Sequence, residues 1–134
     1  MKIRSSLTII TILVSVLAVT AATAYGQALS VINNNCEYLN NPIGIDVKTP
    51  RLSWQMASEK SNVIQAAYEI RVSEDAKLLI KGKSVLWGTG KVNSDQSTLV
   101  AYAGPVLKSR QRIFWQVRVW DKKGNVSAWS TVKY

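Results

Sequence analysis

Hydrophobic positions along the chain follow two regimes. The first is a single uninterrupted run. No residue between positions 7 and 24 is charged, and Ile9, Ile10, Ile12, Leu13, Val14, Val16 and Leu17 crowd its centre. Beyond it, apolar residues alternate with polar ones in short stretches. After Pro50, Leu52, Trp54 and Met56 alternate with Ser53 and Gln55, the pattern of a half-buried strand. Over residues 65–73, Tyr68, Ile70 and Val72 share one face while Glu69 and Arg71 share the other. Residues 112–120 form the strongest such stretch, with Ile113, Trp115, Val117 and Val119 on one side and Phe114, Gln116, Arg118 and Trp120 on the opposite side. Weaker strands are expected at 27–36 (Leu29, Val31), at Lys91-Val92 and at Thr98-Leu99-Val100. A last one is expected over 126–134, with Ala128 and Trp129 inside it.

Turn residues separate these stretches. Asn40-Asn41-Pro42-Ile43-Gly44, residues 59–62, Gly88-Thr89-Gly90, Ala103-Gly104-Pro105 and residues 121–125 each combine types that favour turns or bends. One short helical turn is expected, with Ser73 as its cap, Glu74 and Asp75 at its positive end and Leu78 and Leu79 packing inward, ended by Gly82 and Lys83. Six or seven short strands at this spacing predict an all-β fold, a two-sheet sandwich of the fibronectin type III or immunoglobulin kind.

Charge and small residues give the leading run its meaning. Lys2 and Arg4 precede it, and Ala22-Thr23-Ala24 and Ala24-Tyr25-Gly26 close it. That is the order of a secretory signal peptide, a hydrophobic helix over residues 1–26 followed by a domain over 27–134. Cleavage after Ala24 and after Gly26 both fit. The competing reading is an uncleaved anchor, since the run reaches the lower limit for spanning a bilayer. The signal-peptide reading places the mature domain outside the cell or in the periplasm, free of the membrane.

Composition narrows the chemistry. Histidine is absent and there is one cysteine, which excludes a Ser-His-Asp triad, a Cys-His dyad, an internal disulfide and any histidine or multi-cysteine zinc site. No cofactor and no metal is expected. Cys36, behind Asn33-Asn34-Asn35 and without a small-residue cleavage box before it, reads as a small buried hydrophobe rather than a lipid-attachment site. The chain carries 17 basic against 8 acidic residues, but the cations are scattered singly or in short pairs, and nucleic acid is not an expected partner.

Paired carboxylates are what a glycosidase would need. Each of Glu37, Asp46, Glu59, Glu69, Glu74, Asp75, Asp95 and Asp121 is either a cap, a turn residue, a loop residue or a member of a polar strand face, or stands alone. No catalytic residue is assigned. Gly88-Thr89-Gly90 lacks the lysine-threonine pair and the following helix of a phosphate loop. Asn125-Val126-Ser127 fits a glycosylation sequon and reads as turn chemistry. Five tryptophans are many for this length. Trp54 and Trp115 fall on buried faces. Phe114, Arg118 and Trp120 lie on the outer face, and Trp129 approaches them across the hairpin. These four are the candidate domain-interface or sugar-contact residues.

The residues from Trp115 to Asp121, with Gly124 and Ser127-Ala128-Trp129-Ser130, resemble the last hairpin of fibronectin type III domains in bacterial carbohydrate enzymes. Ile113 stands where that fold often has its corner tyrosine, so that hydrogen bond is not expected. A narrower resemblance lies upstream. Cys36-Glu37-Tyr38-Leu39-Asn40-Asn41-Pro42-Ile43-Gly44-Ile45-Asp46 and Pro50-Arg51-Leu52-Ser53-Trp54 are similar to the amino-terminal domain of bacterial α-L-rhamnosidases of glycoside hydrolase family 78. Gln65-Ala66-Ala67-Tyr68-Glu69-Ile70, Trp87-Gly88-Thr89-Gly90-Lys91-Val92, Ser94-Asp95-Gln96-Ser97 and Leu107-Lys108-Ser109-Arg110 continue it in order, so that it covers residues 29–130.

The resemblance implies a parent enzyme that hydrolyses terminal α-L-rhamnosides by inversion. Its acid and base would be carboxylates in a helical (α/α)6 barrel several hundred residues further along. None maps onto this chain, which reads as truncated before the barrel. The expected role is therefore a non-catalytic accessory domain whose partner is the remainder of such a hydrolase. Rhamnose-containing glycans are a second candidate ligand. The alternatives are a free-standing carbohydrate-binding module and a scaffolding module.

Overall fold

Residues 29–134 are described by the computed structural model; the leader expected over 1–26, with Ala22, Ala24 and Gly26 at its exit, lies outside the described residues. The alternating stretches become β1 (Ser30–Cys36), β2 (Arg51–Ala57), β3 (Gln65–Ser73), β4 (Trp87–Gly88), β5 (Val100–Ala101) and β6 (Phe114–Asp121), with the short helix α1 (Ala76–Ile80) after β3. They pair antiparallel into two three-stranded sheets, ordered β1-β2-β5 and β4-β3-β6. This is the expected all-β sandwich.

Period two puts one face of each sheet into the interior. Leu52, Trp54 and Val100 from the first sheet meet Tyr68, Ile70, Val72, Trp115, Val117 and Val119 from the second, all buried. The polar tip of Trp54 is answered inside the core. Its Nε1 donates to Gln65 Oε1 at 3.0 Å, and Gln65 Nε2 in turn reaches the carbonyls of Ser94 and Gln96. Trp54 also meets Tyr68 edge-on, 5.1 Å between centroids.

The asparagine cluster belongs to β1. The register slips between Ile32 and Asn35, and Asn33 takes φ +49°, a conformation asparagine tolerates. The slip turns Asn34 inward, 2 % exposed, where its Nδ2 donates to Ser130 Oγ and to the Thr131 carbonyl. That clasp joins the first sheet to the end of the chain.

Three local expectations are corrected. The helix cap is Asp75, whose Oδ1 accepts from the backbone N–H of Lys77 and Leu78. Ser73 is engaged one step earlier: its Oγ accepts from the Asp75 N–H and donates to the Ser84 carbonyl, pinning the loop after the helix. The last segment, expected as a strand over 126–134, forms no regular strand and pairs with β6 through isolated bridges at Val126 and Lys133. Between those bridges serine hydroxyls replace backbone acceptors. Similarly, Lys91-Val92 is reduced to one bridge, Val92 to Tyr68. Ile113, at the usual place of the corner tyrosine, packs against the core. A different tyrosine braces a turn: the buried Tyr102 donates its hydroxyl to the Pro105 carbonyl at 3.0 Å. Gly104 is required there, because a side chain would collide with the Tyr102 ring and Trp87 Cβ.

Cys36 is 6 % exposed. Burial, with Glu37 beside it, pushes its thiol up to about 11 from an ordinary 9.0. The folded state thus disfavours the thiolate, and the stabilisation is complete below the unfolded-state value and fades as pH climbs from 9 to 11. Unfolding free energy is expected to fall by about 2 kcal/mol on going from pH 8 to pH 11 through this group. Urea titrations of the wild type and Cys36→Ala at both pH values read the difference. An equal alkaline loss in the two proteins would place the cause elsewhere.

Candidate functional site

The outer face of the β4-β3-β6 sheet is built by register. Glu69 lies opposite Arg118 and Arg71 opposite Gln116 across β3 and β6, so charged and amide side chains alternate on the solvent side. Arg118 Nη2 pairs with Glu69 Oε2 at 2.7 Å and its Nε donates to the same oxygen at 2.8 Å. Arg71 donates from Nε and Nη2 to Gln116 Oε1, and Gln116 Nε2 donates to the Ser130 carbonyl at 2.8 Å. Burial, and then the charge of Arg118, hold the Arg71 guanidinium below its usual range.

Aromatic rings fill the spaces between these cations. Trp129 has the Arg71 guanidinium 4.0 Å and the Arg118 guanidinium 4.6 Å from its ring centroid. Trp120 has Arg118 at 5.0 Å and the Lys91 ammonium at 4.9 Å. The result is a ladder, Arg71–Trp129–Arg118–Trp120–Lys91, in which each indole carries two cations. Arg118, Trp120 and Trp129 are thus brought together. Phe114 is not in the ladder; it meets the Tyr134 ring, 6.2 Å between centroids, with Arg112 over the same tyrosine at 4.9 Å. The rungs Arg71 and Lys91 were not among the expected site residues. The outward position of Arg71 was visible in the alternation of β3, whereas Lys91 enters only through the bridge at Val92.

A second feature lies at one end of the sandwich, where the sheets part. A cavity of about 630 Å³ opens there, with Cys36, Leu52, Val72 and Trp115 in contact with it from the core side. Two loops complete its wall. One is the turn after β1, contributing Ile43, Ile45 and Val47; the other precedes β6, contributing Leu107 and Ile113. The indole N–H of Trp115 is buried without an acceptor. The loop before β6 is held by Lys108 N–H donating to Gln111 Oε1, by Gln111 N–H donating to the Lys108 carbonyl, and by a contact from Gln111 Nε2 to Glu74. Arg110 sits at its tip with φ +64°.

The carboxylates are placed for structure. Glu37 pairs with Arg51 at 2.7 Å, and that bond holds its carboxyl below the usual range. Asp75 caps the helix. Asp121 accepts from the backbone of Lys123 and Asn125 and from Asn125 Nδ2, which lowers its carboxyl as well. The Asn125 amide of the sequon is thereby occupied as a turn brace. Among the described residues no three His, Cys, Asp or Glu side chains group as a metal site, and no helix is long and apolar enough to cross a membrane.

Comparison with known proteins gives this geometry a setting. The family described as "Rha78A-like, N-terminal immunoglobulin domain" matches residues 31–134. An α-L-rhamnosidase of Streptomyces avermitilis is 50 % identical over 104 residues, 78 % of this chain and 10 % of that protein. One from Formosa agariphila is 38 % identical over 95 residues, 71 % of this chain and 10 % of its own length. The crystal structure of a Streptomyces avermitilis α-L-rhamnosidase complexed with L-rhamnose superposes with TM-score 0.75 at 48 % identity, over 79 % of this chain and 10 % of that one. The chain spans about a tenth of the length of the curated relatives it matches. By sequence and by fold, it belongs to the family of amino-terminal immunoglobulin-like domains of the α-L-rhamnosidases.

Proposed function

We propose that the chain is the non-catalytic accessory domain of an α-L-rhamnosidase-like glycoside hydrolase, and that it works by packing on the catalytic part of such an enzyme. The observation that carries this reading is the size of the match: the domain aligns over nearly its whole described length with a tenth of each relative. The engagement of Glu37, Asp75 and Asp121 in pairing, capping and turn bracing favours the same view. A carbohydrate-binding module is the other reading. Its aromatic platform would be Trp120 and Trp129, and the cations over both rings favour a bracing role for these side chains over stacking on a sugar. Export belongs to the proposal too: removal of residues 1–26 would leave the domain in the periplasm or outside the cell.

The test is recovery from native cells with an antibody against residues 29–134. The domain is expected to come out with hydrolysis of an aryl α-L-rhamnoside, on the same polypeptide or on an associated one, and with a mature amino terminus at Tyr25 or Gln27. Recovery without that activity, from cells that hydrolyse the rhamnoside, would sink the reading. Titration of the recovered domain with L-rhamnose, reading tryptophan fluorescence, distinguishes the binding-module alternative.

A further inference from the structure

The cavity at the end of the sandwich combines three observations. First, its wall is apolar and stays open to solvent: Ile43 is 80 % and Val47 44 % exposed, although nonpolar side chains of that size favour burial. Second, its polar groups are mostly donors. Lys48, Lys108 and Arg110 line it against the carboxylate of Asp46, beside Arg112 over the Tyr134 ring, and the only ion pairs among the described residues, Arg51–Glu37 and Arg118–Glu69, lie elsewhere. Third, two of the segments that carry the resemblance, 36–46 and 107–110, lie more than sixty positions apart and converge on this one cavity.

An apolar recess lined by cations without an ion-pair partner fits an occupant that is apolar at its tip and rich in acceptors around it. We propose that this end of the sandwich is the docking surface for an apolar, carboxylate-flanked segment of the catalytic part of a rhamnosidase-like enzyme. The inference rests on the accessory-domain reading above and deepens it by naming the face and the chemistry of what it holds. The ladder face is then the internally satisfied side, since its cations already have rings, Glu69 or Gln116 as partners. The recess is the side that still lacks a partner.

The test is lysine acetylation of the native assembly and of the 134-residue chain alone, read by mass spectrometry. Lys48 and Lys108 are expected to label at least tenfold more slowly in the assembly than in the lone chain, with Lys77, Lys91 and Lys122 unchanged as references. Ile43→Asp, at a position exposed enough to leave the fold intact, and Arg110→Glu are each expected to raise the labelling of Lys48 and Lys108 in the assembly at least tenfold. Raised salt is expected to weaken the assembly. If the assembly forms while Lys48 and Lys108 label freely, docking is elsewhere; the inference falls and the accessory-domain reading stands. If the lone chain already protects both lysines as a dimer, the occupant is a second copy and the inference falls. If no rhamnosidase component accompanies the domain, both readings fall together.

Discussion

Ser130→Ala is expected to destabilise the domain by about 2–4 kcal/mol, far more than the loss of one hydroxyl usually implies. The reason is what that hydroxyl replaces. The segment after the hairpin does not form a regular strand, yet β6 beside it has buried N–H groups to satisfy. The Val117 N–H donates to Ser130 Oγ at 3.1 Å, while the Ser130 N–H donates to the Val117 carbonyl at 2.8 Å. The Val119 N–H and Ser127 repeat the arrangement, at 3.0 Å and 2.9 Å. Two serine side chains thus complete a backbone ladder. Ser130 Oγ also accepts from Asn34 Nδ2 of β1, so its removal loosens the clasp between the sheets. Val117 is fully buried and Ser130 5 % exposed, which leaves little access for a replacing water. Urea unfolding of the 134-residue chain measures the effect, with Ser130→Thr as the control that keeps the hydroxyl. A loss below about 1 kcal/mol would mean that the Val117 N–H finds another acceptor, and this account of the segment would be wrong.

The same residues explain what hydropathy can and cannot reveal. Residues 65–73 form a strand where the alternation places one, because one face meets the core and the other meets charged neighbours on β6, so periodicity carries the whole signal. Ser127 and Ser130 are three apart, an odd spacing for one face of a strand. Their roles as acceptors leave no trace in a pattern of apolar positions. The helix cap shows a related limit. Ser73 and Asp75 are both good capping types two residues apart. The choice is made by Ser84, whose carbonyl takes the Ser73 hydroxyl, a contact that local sequence does not announce. The apolar wall of the end cavity comes from turns without periodicity, Ile43 and Val47 on one side and Leu107 on the other. The strings that resemble the rhamnosidase domain were readable one by one; that two of them face each other follows only from the closing of the sandwich. In the ladder, Arg118, Trp120 and Trp129 were legible as outer-face residues. Arg71 and Lys91 join them through the pairing of β3 with β6 and with Val92.

Trp129→Ala is expected to cost about 2–4 kcal/mol, from lost packing of a half-buried indole together with two cation–π contacts. The contacts matter beyond their number because Arg71 and Arg118 are close enough for one charge to disfavour the other, and the indole has both guanidiniums over it. Without the ring, the two cations keep their repulsion and lose its electron-rich face. If the ladder is the cause, Arg71→Met made in the Trp129→Ala background should cost less than the same change in the wild type, with a coupling of about 0.5–2 kcal/mol in a double-mutant cycle. Trp129→Phe, which keeps a ring, should recover part of the loss. Strict additivity of the two substitutions would reduce Trp129 to a space-filling side chain. The consequence reaches the opposite end of the segment. Trp129 and Ser130 hold the chain whose Lys133 bridges Trp115 and whose Tyr134 lines the open cavity. A loosened ladder would therefore let that rim shift, and Trp129→Ala should speed acetylation of Lys133 in the lone chain while leaving Lys77 at its original rate. The tryptophan then affects docking without touching the partner, by fixing the place where the partner sits.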